Sequence, residues 1–131
     1  MSIKLQIEET PGYLIAKFSG AGAPDEVWRQ FELIAEHCER TKNHKLLIDT
    51  SRAEGEISIF ERFLIGQRAQ IFTVYGVKVA WVENLERKGQ RGFGELVARN
   101  RWVNIRVFTN LHAAEEWLLN SESSSQGGNG V

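Results

Sequence analysis

The sequence lacks features on which several classes of protein depend. Its 131 residues include a single cysteine, Cys38, which excludes an internal disulfide. No apolar run approaches the roughly 20 residues that a membrane-spanning helix needs. A secretory leader is not recognised either, so we expect a cytoplasmic protein. A formal net charge of -1 gives no overall attraction to nucleic acid, and we expect no nucleic-acid partner.

What the sequence does contain is typical of one globular domain. Apolar residues make up 42% of the chain and charged residues 25%, a balance that permits a buried core at this length. We therefore expect a single domain over residues 1–119. Residues 120–131 are rich in serine and glycine and nearly free of apolar side chains, which predicts a flexible tail.

Strand-like and helix-like segments follow one another in the predicted order β-β-α-β-α-β-α-β-α. An alternating apolar and polar segment, the turn signal at Pro11–Gly12 and a second strand predict an opening hairpin. The first predicted helix, which Pro24 opens, has one apolar face formed by Val27, Phe31, Ile34 or Ala35, and Cys38. Asn110 is predicted to cap the last helix, whose apolar face consists of Leu111, Ala114, Trp117 and Leu118. The later strands are separated by helices, including a short one predicted over residues 93–100, and strands so separated pair in parallel. The predicted fold class is therefore α/β, with a mixed, mostly parallel sheet of about five strands and about four helices.

The stretch from Lys45 to Ser51 is the most informative part of the sequence. It contains the wholly apolar run Leu46-Leu47-Ile48, which predicts a strand buried on both faces of the sheet. We expect this run to lie in the core together with Val79 and Trp81 of the next predicted strand.

Polar residues follow that run directly, and ligands of open α/β sheets bind at the carboxyl ends of strands. The sequence therefore predicts a surface for a ligand or partner at this edge of the sheet. Its strand-end members are Asp49, Thr50 and Ser51, with Glu83 and Asn84 after the next strand. The alternative interpretation is that these side chains only turn the chain, because short polar side chains hydrogen-bond their own backbone.

Ser58 begins the predicted second helix. Ser58-Ile59-Phe60-Glu61 is a capping-box pattern, in which the hydroxyl accepts a backbone N–H and Glu61 reaches back to the serine amide. A phosphate on Ser58 would also be stabilised at a helix N-terminus. We favour the cap, so Ser58→Ala should lower the free energy of unfolding by about 1 kcal/mol in chemical denaturation. Unchanged stability, or a phosphate carried by Ser58, would contradict this prediction.

The predicted second helix carries two apolar faces. The first, which we expect to pack on the sheet, consists of Phe60, Phe63, Leu64 and Ile71. The second contains Ile65 and Phe72, and burying one such side chain is worth roughly 1.5–3 kcal/mol. Another helix of the chain would account for the second face, and so would a second subunit, a membrane surface or an apolar ligand. We predict an apolar groove or a subunit contact at Ile65 and Phe72, and Phe60 is a further candidate for a ligand or partner surface.

We recognise no complete catalytic or metal-binding constellation. His37 and Cys38 are adjacent, so their side chains would point about 100° apart on a helix, and no second ligand pair occurs at zinc spacing. A nucleophilic Ser51 or Ser58 would need a histidine from elsewhere in the fold. We therefore expect no enzyme activity, no metal and no cofactor.

The order of elements resembles that of the STAS domain. The resemblance covers about residues 3–119. It rests on Leu47-Ile48-Asp49-Thr50-Ser51 at the centre, and on residues 104–110 leading into the last predicted helix. That family includes anti-sigma-factor antagonists and the cytosolic domains of sulfate transporters, and its small stand-alone SpoIIAA-like bacterial proteins are the most similar. The resemblance implies a STAS/SpoIIAA-like fold and a regulatory role that needs no catalysis.

The antagonists of that family carry a strand that ends in Asp-Leu-Ser-Gly. An Asp-Ser-Ser-Gly box follows, and a partner kinase phosphorylates its first serine. Asp49-Thr50-Ser51 resembles the first element, with Arg52 in place of the glycine. Ser58 falls at about the position of the phosphorylated serine, but apolar residues surround it in place of the box.

Two functional hypotheses follow from these observations. The first is a non-enzymatic regulatory or protein-interaction module of STAS type that acts on a protein partner or as a homodimer. Its surface would consist of the loop from Asp49 to Ser58, the start of the second helix and the strand end at Glu83-Asn84. The second is a binder of a lipid or another small apolar ligand, possible also at a membrane surface. Its site would lie beside the sheet and consist of Phe60, Phe63, Leu64, Ile65 and Phe72.

Overall fold

The computed structural model describes residues 3–20, 24–53, 59–83 and 103–120. These segments form strands and helices, and one of the helices is a single turn. In chain order the elements are β1 (Lys4–Thr10), β2 (Tyr13–Gly20), α1 (Pro24–Thr41), β3 (Lys45–Ala53), α2 (Ile59–Arg68), α3 (Ile71–Val74), β4 (Lys78–Val82), β5 (Ile105–Phe108) and α4 (Leu111–Leu119). The helix predicted over residues 93–100 lies outside the described residues.

The five strands form one sheet in the order β1-β2-β3-β4-β5. β1 and β2 pair antiparallel across the turn at Pro11 and Gly12, where Gly12 adopts a φ of +94°, a backbone conformation that glycine adopts readily. β2, β3, β4 and β5 pair in parallel. The predicted α/β class with a mixed, mostly parallel sheet is confirmed.

Helices cover both faces of the sheet, which explains the apolar run in β3. Leu46 and Ile48 point into the larger core beneath α1, α2 and α3, whereas Leu47 points into a smaller core beneath α4. All three side chains are fully buried, as predicted. Val79 is fully buried too, and Trp81 is partly buried with its ring edge-on to Phe31 at a centroid distance of 6.0 Å.

α1 packs on the sheet through one apolar face, which the sequence spacing predicted. Phe31, Ile34 and Cys38 are fully buried along it. The helix ends where Lys42 adopts a left-handed conformation, with a φ of 58°, and Asn43 N–H donates to the Cys38 carbonyl at 3.0 Å. Burial raises the pKa of the Cys38 thiol to about 11, so this cysteine remains protonated and unreactive near neutral pH.

The placement of Ile65 and Phe72 on a second face, away from the core, was wrong, whereas Ile71 packs against the core as predicted. Ile65 and Phe72 lie inside the larger core, and Phe72 contacts the Phe31 ring at a centroid distance of 5.3 Å. Between them Ala69 is also buried, so the core-facing positions follow the helical spacing i, i+4, i+7. Gly66, one residue after Ile65, is buried as well. A face chosen for bulky residues missed these small side chains, which permit close packing.

α4 begins at a polar cap and covers the second face of the sheet. Asn110 Oδ1 accepts the Ala113 N–H at 2.9 Å, which confirms the predicted cap. Ala114 and Leu118 are fully buried, but Leu111 is exposed although it was predicted to share their face. None of the helices in the described segments is long and apolar enough to span a bilayer.

A buried lysine fixes the end of α4 to the sheet. Lys78 begins β4, and its Nζ donates to the Trp117, Leu118 and Asn120 carbonyls at 2.6, 3.3 and 3.3 Å. These carbonyls lie at the C-terminus of α4, where a cation is favoured by the helix dipole. The ammonium also lies 4.3 Å from the centroid of the Trp117 ring. Lys78 therefore has a structural role at the edge opposite the strand ends.

Candidate functional site

The carboxyl end of β3 projects beyond its neighbour in the sheet. β3 pairs with β4 only as far as Asp49, which lies opposite Val82, but it continues to Ala53. Among the described residues, this last part of β3 pairs only with β2. The polar end of β3 therefore extends past the end of β4.

A β-bulge lies at the start of this projection. Lys17 of β2 lies opposite Asp49, and two residues later Ser19 lies opposite Arg52, so β3 contains one more residue than β2 over this interval. Bulges redirect side chains and are common beside functional sites. The bulge brings Ser19, Ser51 and Arg52 to the same edge as Asp49.

Asp49 holds Ser51 in one orientation. Asp49 Oδ1 accepts the Ser51 backbone N–H at 2.9 Å and the Ser51 hydroxyl at 2.7 Å. Because the hydroxyl donates its proton to Asp49, it can only accept a hydrogen bond from a binding partner. Both side chains are half-buried, while Arg52 is exposed. We call Ser19, Asp49, Ser51 and Arg52 the strand-end surface.

Two residues predicted for this surface are buried instead. Thr50 donates its hydroxyl to the Val82 carbonyl at 2.8 Å, a bond that ties β3 to β4 inside the sheet. Glu83 is buried as well, and its N–H donates to the Phe108 carbonyl at 2.9 Å. That bond continues the pairing of β4 with β5 by one residue, which draws Glu83 into the sheet. Neither side chain contributes a surface.

The remaining predicted site residues do not extend the surface. Ile65 and Phe72 fill the core, so they are unavailable to a groove or a second subunit. Phe60 belongs to α2, and the structure does not describe its side chain. Ser58 and Asn84 lie outside the described residues, so the cap and phosphorylation hypotheses for Ser58 stay predictions.

Arg52 and Ser19 were missed by reasoning from sequence. Asp49 was predicted to end the strand, but β2 continues to Gly20 and offers partners that keep β3 extended to Ala53. A bulge is a property of two paired strands, and the sequence of one strand does not reveal it. The sequence contained one signal that β3 continues past Asp49. This signal was the length of the second predicted strand, which reaches the break at Gly20.

The histidines lie away from Ser51. His44 precedes β3 at the opposite edge, and seven strand residues correspond to about 23 Å. Nε2 of His37 lies 3.4 Å from Glu9 Oε2, near the C-terminus of α1. Nε2 of His112 lies 3.3 Å from Glu116 Oε2, and both side chains are exposed on α4. Among the described residues, no three metal-ligating side chains form a group.

Comparison with known proteins finds similarity at the level of structure. No protein-family model matches the chain, and no curated protein matches it in sequence. An anti-sigma factor antagonist from Mycobacterium paratuberculosis aligns with a TM-score of 0.60 at 16% identity, over 89% of this chain and 94% of the other. An uncharacterised protein of the DUF3478 family with a SpoIIAA-like fold, from Shewanella loihica, aligns with a TM-score of 0.54 at 18% identity and the same coverages. The chain therefore has the STAS/SpoIIAA-like fold that its sequence predicted.

Proposed function

We propose that this chain is a non-catalytic regulatory module that binds a partner protein through the strand-end surface. The projecting, bulged end of β3 carries the proposal. It holds a half-buried carboxylate, a hydroxyl oriented by that carboxylate and an exposed guanidinium at one edge of a rigid sheet. Asp49 and Ser51 hold each other in place on the strand, and groups held in this way lose little side-chain freedom on binding.

The structural neighbour supports a role in protein interaction. The Mycobacterium protein is an anti-sigma factor antagonist, a name that describes action on another protein. The shared fold supports the same class of role for this chain. Arg52 replaces a glycine of the antagonists' first motif, and apolar residues surround Ser58 in place of their Asp-Ser-Ser-Gly box. We therefore propose the binding role without a phosphorylation step.

The chemistry of the strand-end surface favours binding over catalysis. A serine nucleophile needs a base that accepts its proton, and Asp49 accepts the Ser51 hydroxyl here without a histidine. The His44 side chain contacts the Tyr75 carbonyl at 3.0 Å on the opposite side of the sheet. Asp49 therefore acts on Ser51 as an orienting group in this proposal.

The apolar-ligand hypothesis has lost its main support. It depended on a second apolar face formed by Ile65 and Phe72, and both residues are buried in the core. We therefore propose protein recognition alone.

A crosslinking experiment with a matched control tests the proposed function. A photoreactive amino acid placed at Arg52 should crosslink a specific protein in cells that naturally express the chain. The same amino acid at Arg40, an exposed arginine on α1, should not. The captured protein, once purified, should bind the wild type about tenfold more tightly than Arg52→Glu, which corresponds to about 1.4 kcal/mol.

The control variant Arg40→Glu should bind that protein as tightly as the wild type does. Equal crosslinking at both positions would contradict the proposal. So would equal affinity of the wild type and Arg52→Glu for the captured protein. Either result would mean that the strand-end surface is not the contact.

A further inference from the structure

β1 is an edge strand with an alternating surface. It pairs with β2 on one side, and no described strand lies on the other. Leu5 and Ile7 pack against the larger core, while Lys4, Gln6 and Glu8 share the opposite face of the sheet. An edge strand presents backbone donors and acceptors to a further strand.

The hairpin decides which backbone groups point outward. A two-residue loop joins Thr10 to Tyr13, and residues that flank such a loop exchange both backbone hydrogen bonds. Bonded pairs alternate with non-bonded pairs along an antiparallel ladder. Counted from Thr10, the even-numbered residues of β1 bond to β2, and Leu5, Ile7 and Glu9 direct their N–H and C=O groups away from it.

We propose that two copies of this chain form a homodimer through antiparallel pairing of their β1 strands, with Gln6 at the two-fold axis. In this register Leu5 lies opposite Ile7 of the second copy, so the outward backbone groups can bond. Lys4 then lies opposite Glu8 of the second copy, and the symmetry provides this pair twice. The smallest shift that keeps the outward backbone groups opposite one another is two residues. Such a shift would place Lys4 opposite Gln6 or Thr10 of the second copy, and the Lys4–Glu8 charge pair would be lost.

The charges around Lys4 and Glu8 suit this arrangement. Glu8 Oε2 is held by Lys17 Nζ at 3.2 Å and by Gln6 Nε2 at 2.9 Å, so its carboxylate is already oriented. Lys4 contacts no carboxylate among the described residues. Opposite charges on directly facing residues stabilise strand pairing, and like charges destabilise it. A second copy supplies the missing carboxylate.

An exposed leucine on α1 lies beside the same edge. His37 contacts Glu9, so this side of α1 lies over β1. Leu33 is one turn earlier on the same side and is 54% exposed. Four helical residues rise about 6 Å, which is close to two strand residues, so Leu33 lies near the level of Ile7. Because the two-fold axis passes through Gln6, Leu33 of both copies would meet close to it.

The oligomeric state of charge-reversal variants tests the proposal. The wild type should sediment at twice its monomer mass of 14.9 kDa in an analytical ultracentrifuge. Lys4→Glu and Glu8→Lys should each raise the dimer dissociation constant about tenfold, because each places like charges opposite one another twice. The combined variant restores opposite charges and should recover most of the affinity. Lys42→Glu, directly after the C-terminus of α1, is the matched control and should leave the constant unchanged.

Two further measurements separate loss of pairing from loss of fold. Thermal melting identifies any charge variant that is simply destabilised, and Leu33→Ser should weaken the dimer without lowering the monomer's stability, since Leu33 is exposed in one copy. Hydrogen exchange should show the Leu5 and Ile7 amides protected in the wild type and less protected in Lys4→Glu at the same protein concentration. A monomeric wild type, or failure of the combined variant to recover affinity while it remains folded, would overturn the proposal.

Discussion

Replacing Phe72 with alanine should lower the free energy of unfolding by about 3–5 kcal/mol, the usual cost of truncating a buried aromatic side chain. Phe72 has an exposed fraction of 0% and packs against the Phe31 ring. It is the single buried residue of α3, so no neighbouring side chain on that turn can fill the space. Urea denaturation followed by tryptophan fluorescence measures the loss.

Val74→Ala is the matched control for this prediction. Val74 lies in the same short helix but is 75% exposed, so its truncation should change stability by less than about 0.5 kcal/mol. If the two variants were equally stable, Phe72 would not be a core residue. An altered mass of Phe72→Ala at unchanged stability would instead support the original prediction of a subunit contact.

Local patterns in the sequence predicted much of the fold. The unbroken apolar run of β3 predicted burial on both faces, and the two cores that receive Leu47 and Ile48 confirm it. The apolar spacing of α1 and the cap at Asn110 were predicted from neighbouring residues alone. These features depend on interactions within a turn or a strand, so a single segment contains the information.

The errors concern interactions between segments. The core-facing side of α2 depends on how closely the helix approaches its neighbours at Gly66, and at Ala69 directly after the helix. The hydrophobicity of the residues does not report that distance. The bulge at the strand-end surface depends on the relative lengths of β2 and β3. The burial of Glu83 depends on pairing with β5, about twenty residues away in sequence.

Partner binding at the strand-end surface and dimerisation through β1 together predict a bivalent assembly. Antiparallel pairing of β1 would make the parallel strands of the two copies run in opposite directions. The two strand-end surfaces would therefore lie at opposite sides of the dimer, and neither would be covered by β1 pairing. A dimer of this kind could hold two partner molecules, and avidity would follow if those partners were themselves linked.

Lys78 gives the chain a pH dependence with a defined sign. Burial lowers the pKa of its ammonium from 10.5 to about 8, and the positive charges of Lys45 and Arg106 add to the effect. Between pH 8 and pH 10.5 Lys78 keeps its proton in the unfolded chain and loses it in the folded chain. The contribution of Lys78 to the free energy of unfolding therefore rises with pH. A shift of this size corresponds to about 3 kcal/mol. The wild type should therefore gain about that much relative to Lys78→Met between pH 7 and pH 10.5.

The comparison with Lys78→Met is necessary because a second buried group titrates in the same range with the opposite sign. The pKa of Cys38 is raised from 9.0 to about 11, so its contribution to stability falls as pH rises through that interval. Cys38 is present in both proteins, so its effect cancels in the difference between their free energies of unfolding. Urea denaturation of the two proteins at several pH values gives that difference. A difference that stays constant, or that falls with pH, would show that the three carbonyls of α4 stabilise the ammonium enough to compensate for its burial.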